Sequence, residues 1–175
     1  MIPRALHKIA WLVIIVSASA GVTGGFGCSS SQGAVSDAAA GEPLFSCARE
    51  TRAPPYMPGY MRTSTSGAVT ATLLSSDPAP PAQGNNTWMI ALATASTGAP
   101  LDGVAMVVTG LMPDHGHPLG VPPTVTPAGG GQYAVDDIDM FMAGYWEITL
   151  ALTLPAGGAD GGTSDSVMFP TCANQ

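Results

Sequence analysis

The sequence predicts an all-β protein built as an antiparallel β-sandwich. In the segment 146–154 every second residue is large and apolar, and the residues between them are small or polar. A period of two places the apolar side chains on one face of a strand. Further short β-rich runs follow one another between stretches of Gly and Pro, with little helical periodicity after the N-terminal leader. About seven such runs are typical of an immunoglobulin-like sandwich.

The predicted strands occupy the second half of the chain and part of the first. In chain order they cover residues 68–74, 87–95, 103–110, 120–126, 132–137, 146–154 and 166–169. Turn-forming stretches such as PAGGG and PAGGADGGTSD connect them. The acidic run DDID at 136–139 interrupts the fifth strand and predicts a bulge or bend there.

Three segments are predicted to precede the sandwich domain at 67–175. Residues 1–27 resemble a signal peptide, because Arg4 and Lys8 precede an apolar core that is shorter than a membrane span. Residues 28–46 are rich in Ser, Gly and Ala and are predicted to form a flexible tether. Residues 47–66 contain too many prolines for a core strand, so we expect them to pack as an arm along the sandwich edge.

The three cysteines have two expected roles. The sequence GFGC at 25–28 resembles a bacterial lipobox, in which Cys28 becomes the lipid-modified N-terminus, although Gly25 stands where Leu is preferred. The alternative is ordinary cleavage nearby, which leaves a free thiol. Cys47 and Cys172 are expected to form a disulfide in an oxidising compartment. The alternative of metal binding by this pair is less favoured, because neither cysteine has a local CxxC motif.

The charge balance excludes nucleic acid as a partner. Removal of Arg4 and Lys8 with the leader reduces the basic residues from 5 to 3 (5 − 2), against 12 acidic ones, so the net charge becomes −9 (3 − 12). Nucleic-acid binding requires a basic surface. The acidic balance is compatible with an export compartment. From the leader and Cys28 we expect an exported protein, anchored through its lipid to the outer or cytoplasmic membrane and facing the periplasm or the cell exterior.

The sequence MPDHGHP at 112–118 carries both histidines that follow the leader. Histidine is the commonest metal ligand, and in an extended segment His115 and His117 would project to the same side. Met112 adds a thioether, and Met140 and Met142 offer two more. Imidazoles with soft thioethers suit copper, Cu(I) in particular, so these five residues are the predicted metal ligands.

The same residues also have structural interpretations. Met112, Met140 and Met142 are alternatively packing residues, since Met often fills gaps in a core. Asp114 is alternatively the acceptor in an Asx turn, and the histidines then bond to the backbone and fix the loop. No Ser-His-Asp order, phosphate loop or HExxH motif is present, so we expect no enzymatic activity.

The segment 84–154 resembles the YtkA-like, or FixH-related, family of small exported domains. The resemblance rests on GNNTWMIAL, LMPDHGHPLGVPPTV and GGGQYAVDDIDMFMAGYWEITLAL. Ala143 stands where the family often has Pro. The resemblance implies an immunoglobulin-like sandwich and, for some relatives, a role near copper handling or cytochrome oxidase assembly.

Two functional hypotheses follow. In the first, the protein is a membrane-anchored accessory that binds copper and passes it to an acceptor in the cell envelope. In the second, it is a non-metal interaction module, and the segment 112–118 supports a surface for an envelope protein partner.

Overall fold

The fold is all-β, as predicted. The structure is a computed structural model that describes residues 45–156 and 162–175. Its strands, in chain order, are β1 (Tyr60–Thr63), β2 (Val69–Asp77), β3 (Gly84–Thr94), β4 (Ala105–Met112), β5 (His117–Pro118), β6 (Thr124–Gly129), β7 (Gln132–Met140), β8 (Gly144–Thr153) and β9 (Ser164–Ala173). The predicted signal peptide, Cys28 and residues 28–44 of the predicted tether lie outside the described residues. Within those residues, no helix has the length and apolar character needed to cross a membrane.

Two antiparallel sheets form the sandwich. One sheet has the strand order β1-β2-β3-β7-β6, and the other has the order β5-β4-β8-β9. Each of the seven predicted runs coincides with part of a strand, and β1 and β5 are additional. β5 is only two residues long and pairs with the last two residues of β4, Leu111 and Met112. A strand of two residues has no periodicity from which it could be predicted.

The Pro-rich arm ends in a strand at the edge of its sheet. It begins with a short 3₁₀ helix, Cys47–Arg49, in which Ser46 accepts a hydrogen bond from the Ala48 N–H. Gly59 has a φ of 86° and turns the chain into β1, which pairs only with β2. Proline is tolerated near edge strands because no ladder bond is lost there. Cys47 forms a disulfide with Cys172 of β9, with a Cα–Cα distance of 5.8 Å, which ties the start of the arm to the last strand.

The core lies between the two sheets and is centred on aromatic side chains. The alternation along β8 is observed: Trp146, Ile148, Leu150 and Leu152 are buried, whereas the residues between them are half-buried or exposed. Trp88 of β3 and Phe169 of β9 meet edge to face, with ring centroids 6.1 Å apart. Contacts of this kind add to the stabilisation that comes from removing apolar area from water.

A β-bulge lies at the acidic run of β7. Asn86 pairs with Ile138 and Trp88 with Val135, so the register shifts between them. Asp137 has a φ of 61°, and its carboxylate accepts a 3.1 Å hydrogen bond from Asn85 Nδ2. A short side chain that bonds locally lowers the cost of this conformation. The strand continues beyond the bulge to Met140 instead of ending at Asp137.

Candidate metal site

The segment that carries the histidines is a tight turn at the end of β4. It is not the extended segment in which His115 and His117 would project to the same side. The N–H groups of His115 and Gly116 both donate to the Met112 carbonyl, at 3.2 and 2.8 Å. Gly116 has a φ of 66°, a conformation that glycine adopts at little cost. His117 then returns antiparallel to Met112 in β5. Two prolines, Pro113 and Pro118, flank this turn and restrict its backbone.

The two imidazoles lie side by side at the surface. His115 and His117 are both exposed, and their ring planes differ by 7° with the centroids 6.1 Å apart. The His117 ring also contacts Phe141, with ring centroids 5.5 Å apart, and Phe141 contacts Trp146 at 5.8 Å. Successive ring contacts therefore connect His117 to the buried Trp146.

The three methionines predicted as ligands do not share this exposure. Met112 is 3% exposed and Met140 is fully buried, and both belong to the core. Met142 is partly buried against the same core, and its carbonyl accepts a 2.9 Å hydrogen bond from Trp146 Nε1. A Cβ at Gly144 would collide with the terminal methyl group of Met112, which shows how closely that side chain packs. Of the five predicted ligands, the structure brings only the two imidazoles together at the surface.

Arg52 of the arm holds the turn from the side. Its guanidinium donates to both carboxylate oxygens of Asp114, at 2.6 and 2.7 Å, and to both oxygens of Glu50, at 2.9 and 2.7 Å. The guanidinium carbon also lies 4.3 Å from the centre of the Tyr145 ring. A planar guanidinium is suited to paired carboxylates and to stacking on an aromatic face.

This ion network favours the charged form of its two carboxylates. Hydrogen bonds from Arg52 lower the pKa of Glu50 and the pKa of Asp114, and the two carboxylates together raise the pKa of Arg52. Burial raises the pKa of Tyr145, with the nearby Glu147 acting in the same direction. Both oxygens of Asp114 accept a hydrogen bond from Arg52, so this carboxylate would have to share or give up those bonds to bind a metal ion beside His115.

A family model described as YtkA-like matches residues 63–151. The chain belongs to the YtkA-like family. This confirms the resemblance of the segment 84–154 to that family. No curated protein matches the chain.

Solved structures similar to this YtkA-like protein share little sequence with it. A copper-bound variant of FetP from uropathogenic Escherichia coli strain F11 is 11% identical, with a TM-score of 0.42 over 66% of this chain and 96% of that chain. A copper-bound variant of the P19 protein from Campylobacter jejuni is 9% identical, with a TM-score of 0.42 over 68% of this chain and 99% of that chain.

The donor set of this YtkA-like domain is small. Within the described residues, no three side chains of His, Cys, Asp or Glu are clustered in a way that could hold a metal ion. Of the predicted ligands, His115 and His117 are the two whose side chains are exposed. Arg52 was not identified from the sequence, because it lies 62 residues from Asp114 and no local pattern links them.

Proposed function

We propose that this protein is an exported, non-enzymatic copper-binding accessory, and that His115 and His117 are its copper ligands. The observation that supports this proposal is the nearly parallel imidazole pair, with centroids 6.1 Å apart at the surface of a turn. The alternative ligand candidates in the turn are engaged elsewhere: Asp114 is bound to Arg52, and Met112 is in the core.

The proximity of the two exposed rings allows them to share a metal ion after a change of side-chain rotamer. The lone pair of an imidazole nitrogen lies in the plane of its ring, so the stacked rings of His115 and His117 must turn until a nitrogen of each points at the same ion. Both side chains are exposed, so this rotation requires no change in the core. Two imidazoles on one ion leave its other coordination positions open. Those positions would be filled by water or by a ligand from another protein, which suits an accessory that binds copper transiently and passes it on.

The burial of the thioethers favours Cu(II) over Cu(I) at this site. Cu(I) is selected by soft ligands such as Met, whereas imidazole nitrogens also suit Cu(II). Met112 and Met140 would have to leave the core to reach a surface ion, and the cavities left behind would be costly. A copper site that combines the histidines with Met112, Met140 and Met142 therefore requires the core to rearrange. A site made of the two imidazoles alone does not require the core to change.

Membrane attachment through Cys28 is part of the same proposal. It is supported by the basic residues, the short apolar core and the cysteine followed by serines in the leader. Partition of the wild type and of Cys28→Ser between detergent and aqueous phases tests it. We expect only the wild type to enter the detergent phase, and equal partition of both proteins would contradict the anchor.

The copper site is tested by titrating Cu(II) into the exported protein while the imidazole signals are followed by NMR. Bound Cu(II) is paramagnetic, so the ring protons of His115 and His117 should broaden at low metal ratios, before the signals of Ser164 and Asp165 at the far end of β9. A matched control is Asp165→Asn, which changes a carboxylate at the far end of β9. The double variant His115→Ala, His117→Ala should lose copper binding while it keeps the far-ultraviolet spectrum of the fold. Equal copper affinity in this variant and the wild type would contradict the proposal.

A second candidate function is a non-metal interaction module. It is favoured by the clamp from Arg52 to Asp114 and by the burial of Met112, which together give the turn a structural role without any metal. In that case the double histidine variant would bind copper as weakly as the wild type does. Its turn would instead show faster amide hydrogen exchange, because the ring contacts to Phe141 are lost.

A further inference from the structure

The outer edge of β4 has no hydrogen-bonded partner strand over most of its length, although β6 of the other sheet lies close to it. β4 has β8 on one side, paired from Ala105 to Leu111. On the other side β5 covers only Leu111 and Met112. Among the described residues, no strand pairs with the stretch 105–109 on that side. This stretch reads AMVVT and contains no charge and no proline, and Val107 is 64% exposed on the outer face.

The other sheet edges carry features that prevent strand addition. On β9, Thr65 N–H and Arg62 Nε donate to the carbonyls of Ser166 and Met168, and Pro170 has no N–H. β6 contains Pro127, and β1 is four residues long. Proline, short strands and capped carbonyls are the usual ways in which proteins protect sheet edges. The stretch 105–109 of β4 has none of these features.

The hydrogen-bonding groups on this edge are identified by the turn that follows it. Leu119 N–H donates to the Gly110 carbonyl at 3.2 Å, so the backbone of Gly110 points away from β8. Backbone groups alternate along an antiparallel strand. The N–H and C=O groups of Met106 and Val108 therefore also point outward, and a pairing strand would find two donors and two acceptors there.

We propose that this edge pairs with the same edge of a second copy of the chain. In an antiparallel arrangement the backbone of Met106 in each copy forms hydrogen bonds with the backbone of Val108 in the other copy. The two Val107 residues then lie opposite each other on the two-fold axis. Four backbone hydrogen bonds then join two four-stranded sheets into one. An isologous contact of this kind uses the same patch on both copies and closes as a dimer.

The ends of the free edge favour a second copy over a long extended peptide. β5 occupies the edge from Leu111 onward, so a partner strand must leave the sheet once it has passed Gly110. In the proposed register Gly110 faces Val104 of the second copy. The chain turns at Gly103, whose φ is 72°, and the Val104 N–H donates inward to the Tyr133 hydroxyl. The β4 strand of a second copy therefore turns away from the sheet edge at the position where β5 begins.

Charge also favours this contact between two acidic copies. The β8 residues that flank the middle of β4 are uncharged, because Val107 pairs with Ala151 and Thr109 with Thr149. Two copies that each carry an excess of acidic residues meet least repulsion where neither has a charge. Contact between the two Val107 side chains would also cover a large exposed apolar group.

Cysteine cross-linking tests the register of the pairing. In a Cys28→Ser background, Val107→Cys places two thiols directly opposite each other at a pair of about 4.5 Å between Cα atoms, within the range for a disulfide. Thr109→Cys is the matched control on the same strand and face. In the proposed register its two copies are four residues apart along the strand, about 13 Å, which exceeds that range.

We expect mild oxidation to convert Val107→Cys into a covalent dimer while Thr109→Cys stays monomeric. Equal cross-linking of both variants, or of neither, would overturn the proposal. A second measurement is the solution mass across a dilution series, with and without copper. The Cys28→Ser protein, which serves as the reference for this measurement, should reach twice the monomer mass in both conditions, because no ligand lies in the contact. Val107→Lys should be monomeric, because like charges then face each other, whereas Ser164→Lys on β9 should remain dimeric. A monomeric Cys28→Ser protein would overturn the dimer without affecting the copper proposal.

Discussion

The guanidinium of Arg52 donates two hydrogen bonds, of 2.6 and 2.7 Å, to the carboxylate of Asp114, which lies 62 residues later in the sequence. The contact joins the Pro-rich arm to the turn that carries the two histidines. The start of the arm is itself bonded covalently to β9 through Cys47 and Cys172. The position of the imidazoles therefore depends on a segment that lies outside the region matched by the family model, which begins at residue 63.

We expect Arg52→Met to loosen the turn without unfolding the protein. The side chain keeps its apolar contact with Tyr145 but loses its bonds to Asp114, so the amides of His115 and Gly116 should exchange hydrogen faster. Exchange along β8 should be unchanged. Arg49→Met is the control, because Arg49 lies exposed on the same arm. If exchange in the turn is the same in wild type and Arg52→Met, the clamp has no effect on the turn.

The disulfide should contribute strongly to stability. It closes a loop with a sequence separation of 125 residues. For a loop of this length the chain-entropy model gives a stabilisation of about 4–5 kcal/mol, as an upper value. The double variant Cys47→Ser, Cys172→Ser should therefore unfold at a lower urea concentration than the wild type. Thiol titration of the unreduced, unfolded Cys28→Ser protein should find no free thiol, and two reactive thiols would exclude the bridge.

Substitution of Trp146 should be among the most destabilising changes in the core. Its ring is fully buried and contacts Phe141, and its indole N–H is bonded to the Met142 carbonyl. Trp146→Ala should cost about 3–5 kcal/mol of the free energy of unfolding, because it leaves a large cavity. Urea denaturation measures this change. A loss below about 1 kcal/mol would be inconsistent with a buried ring at this position.

Asp165 should make the protein sensitive to acid. Burial raises the pKa of its carboxylate, but hydrogen bonds from serine side chains and from the backbone N–H groups of Ser66 and Ser166 outweigh this and lower it to about 2. A lowered pKa in the folded state contributes stability above the unfolded value, about 3.9, and this contribution is lost as the pH falls toward 2. Asp165→Asn should therefore show a flatter loss of stability between pH 4 and pH 2, measured by thermal unfolding. An equally steep loss in this variant would assign the acid sensitivity to other carboxylates.

Strands could be predicted wherever the burial of one face produces a regular alternation of apolar and polar residues in the sequence. The alternation at 146–154 predicted β8 because one face of that strand is in the core and the other is not. β1 was not predicted, because this edge strand next to prolines has no such alternation. The acidic run correctly indicated a bulge, but the strand continues past it, because Ile138 and Met140 are both buried.

The candidate site was only partly predictable for a related reason. The proximity of His115 and His117 follows from their separation by the single residue Gly116, so a local pattern was sufficient. Whether Met112 faces solvent or core depends on the packing of Gly144, which lies on another strand. The contact of Arg52 with Asp114 depends on the path of the whole arm. Both are tertiary facts that one sequence does not record locally.

Met112→Leu separates the two possible roles of that methionine. The two side chains have similar volumes, so a packing role predicts a cost below about 1.5 kcal/mol in the free energy of unfolding. Leucine has no sulfur, so a ligand role predicts a large loss of Cu(I) affinity. Because Met112 is only 3% exposed, we expect a small change in stability and no change in the affinity for Cu(II). His117→Leu is the comparison that should lose copper binding. If Met112→Leu binds Cu(I) at least tenfold more weakly, a difference of about 1.4 kcal/mol, the thioether takes part in the site and the core must open to admit the metal.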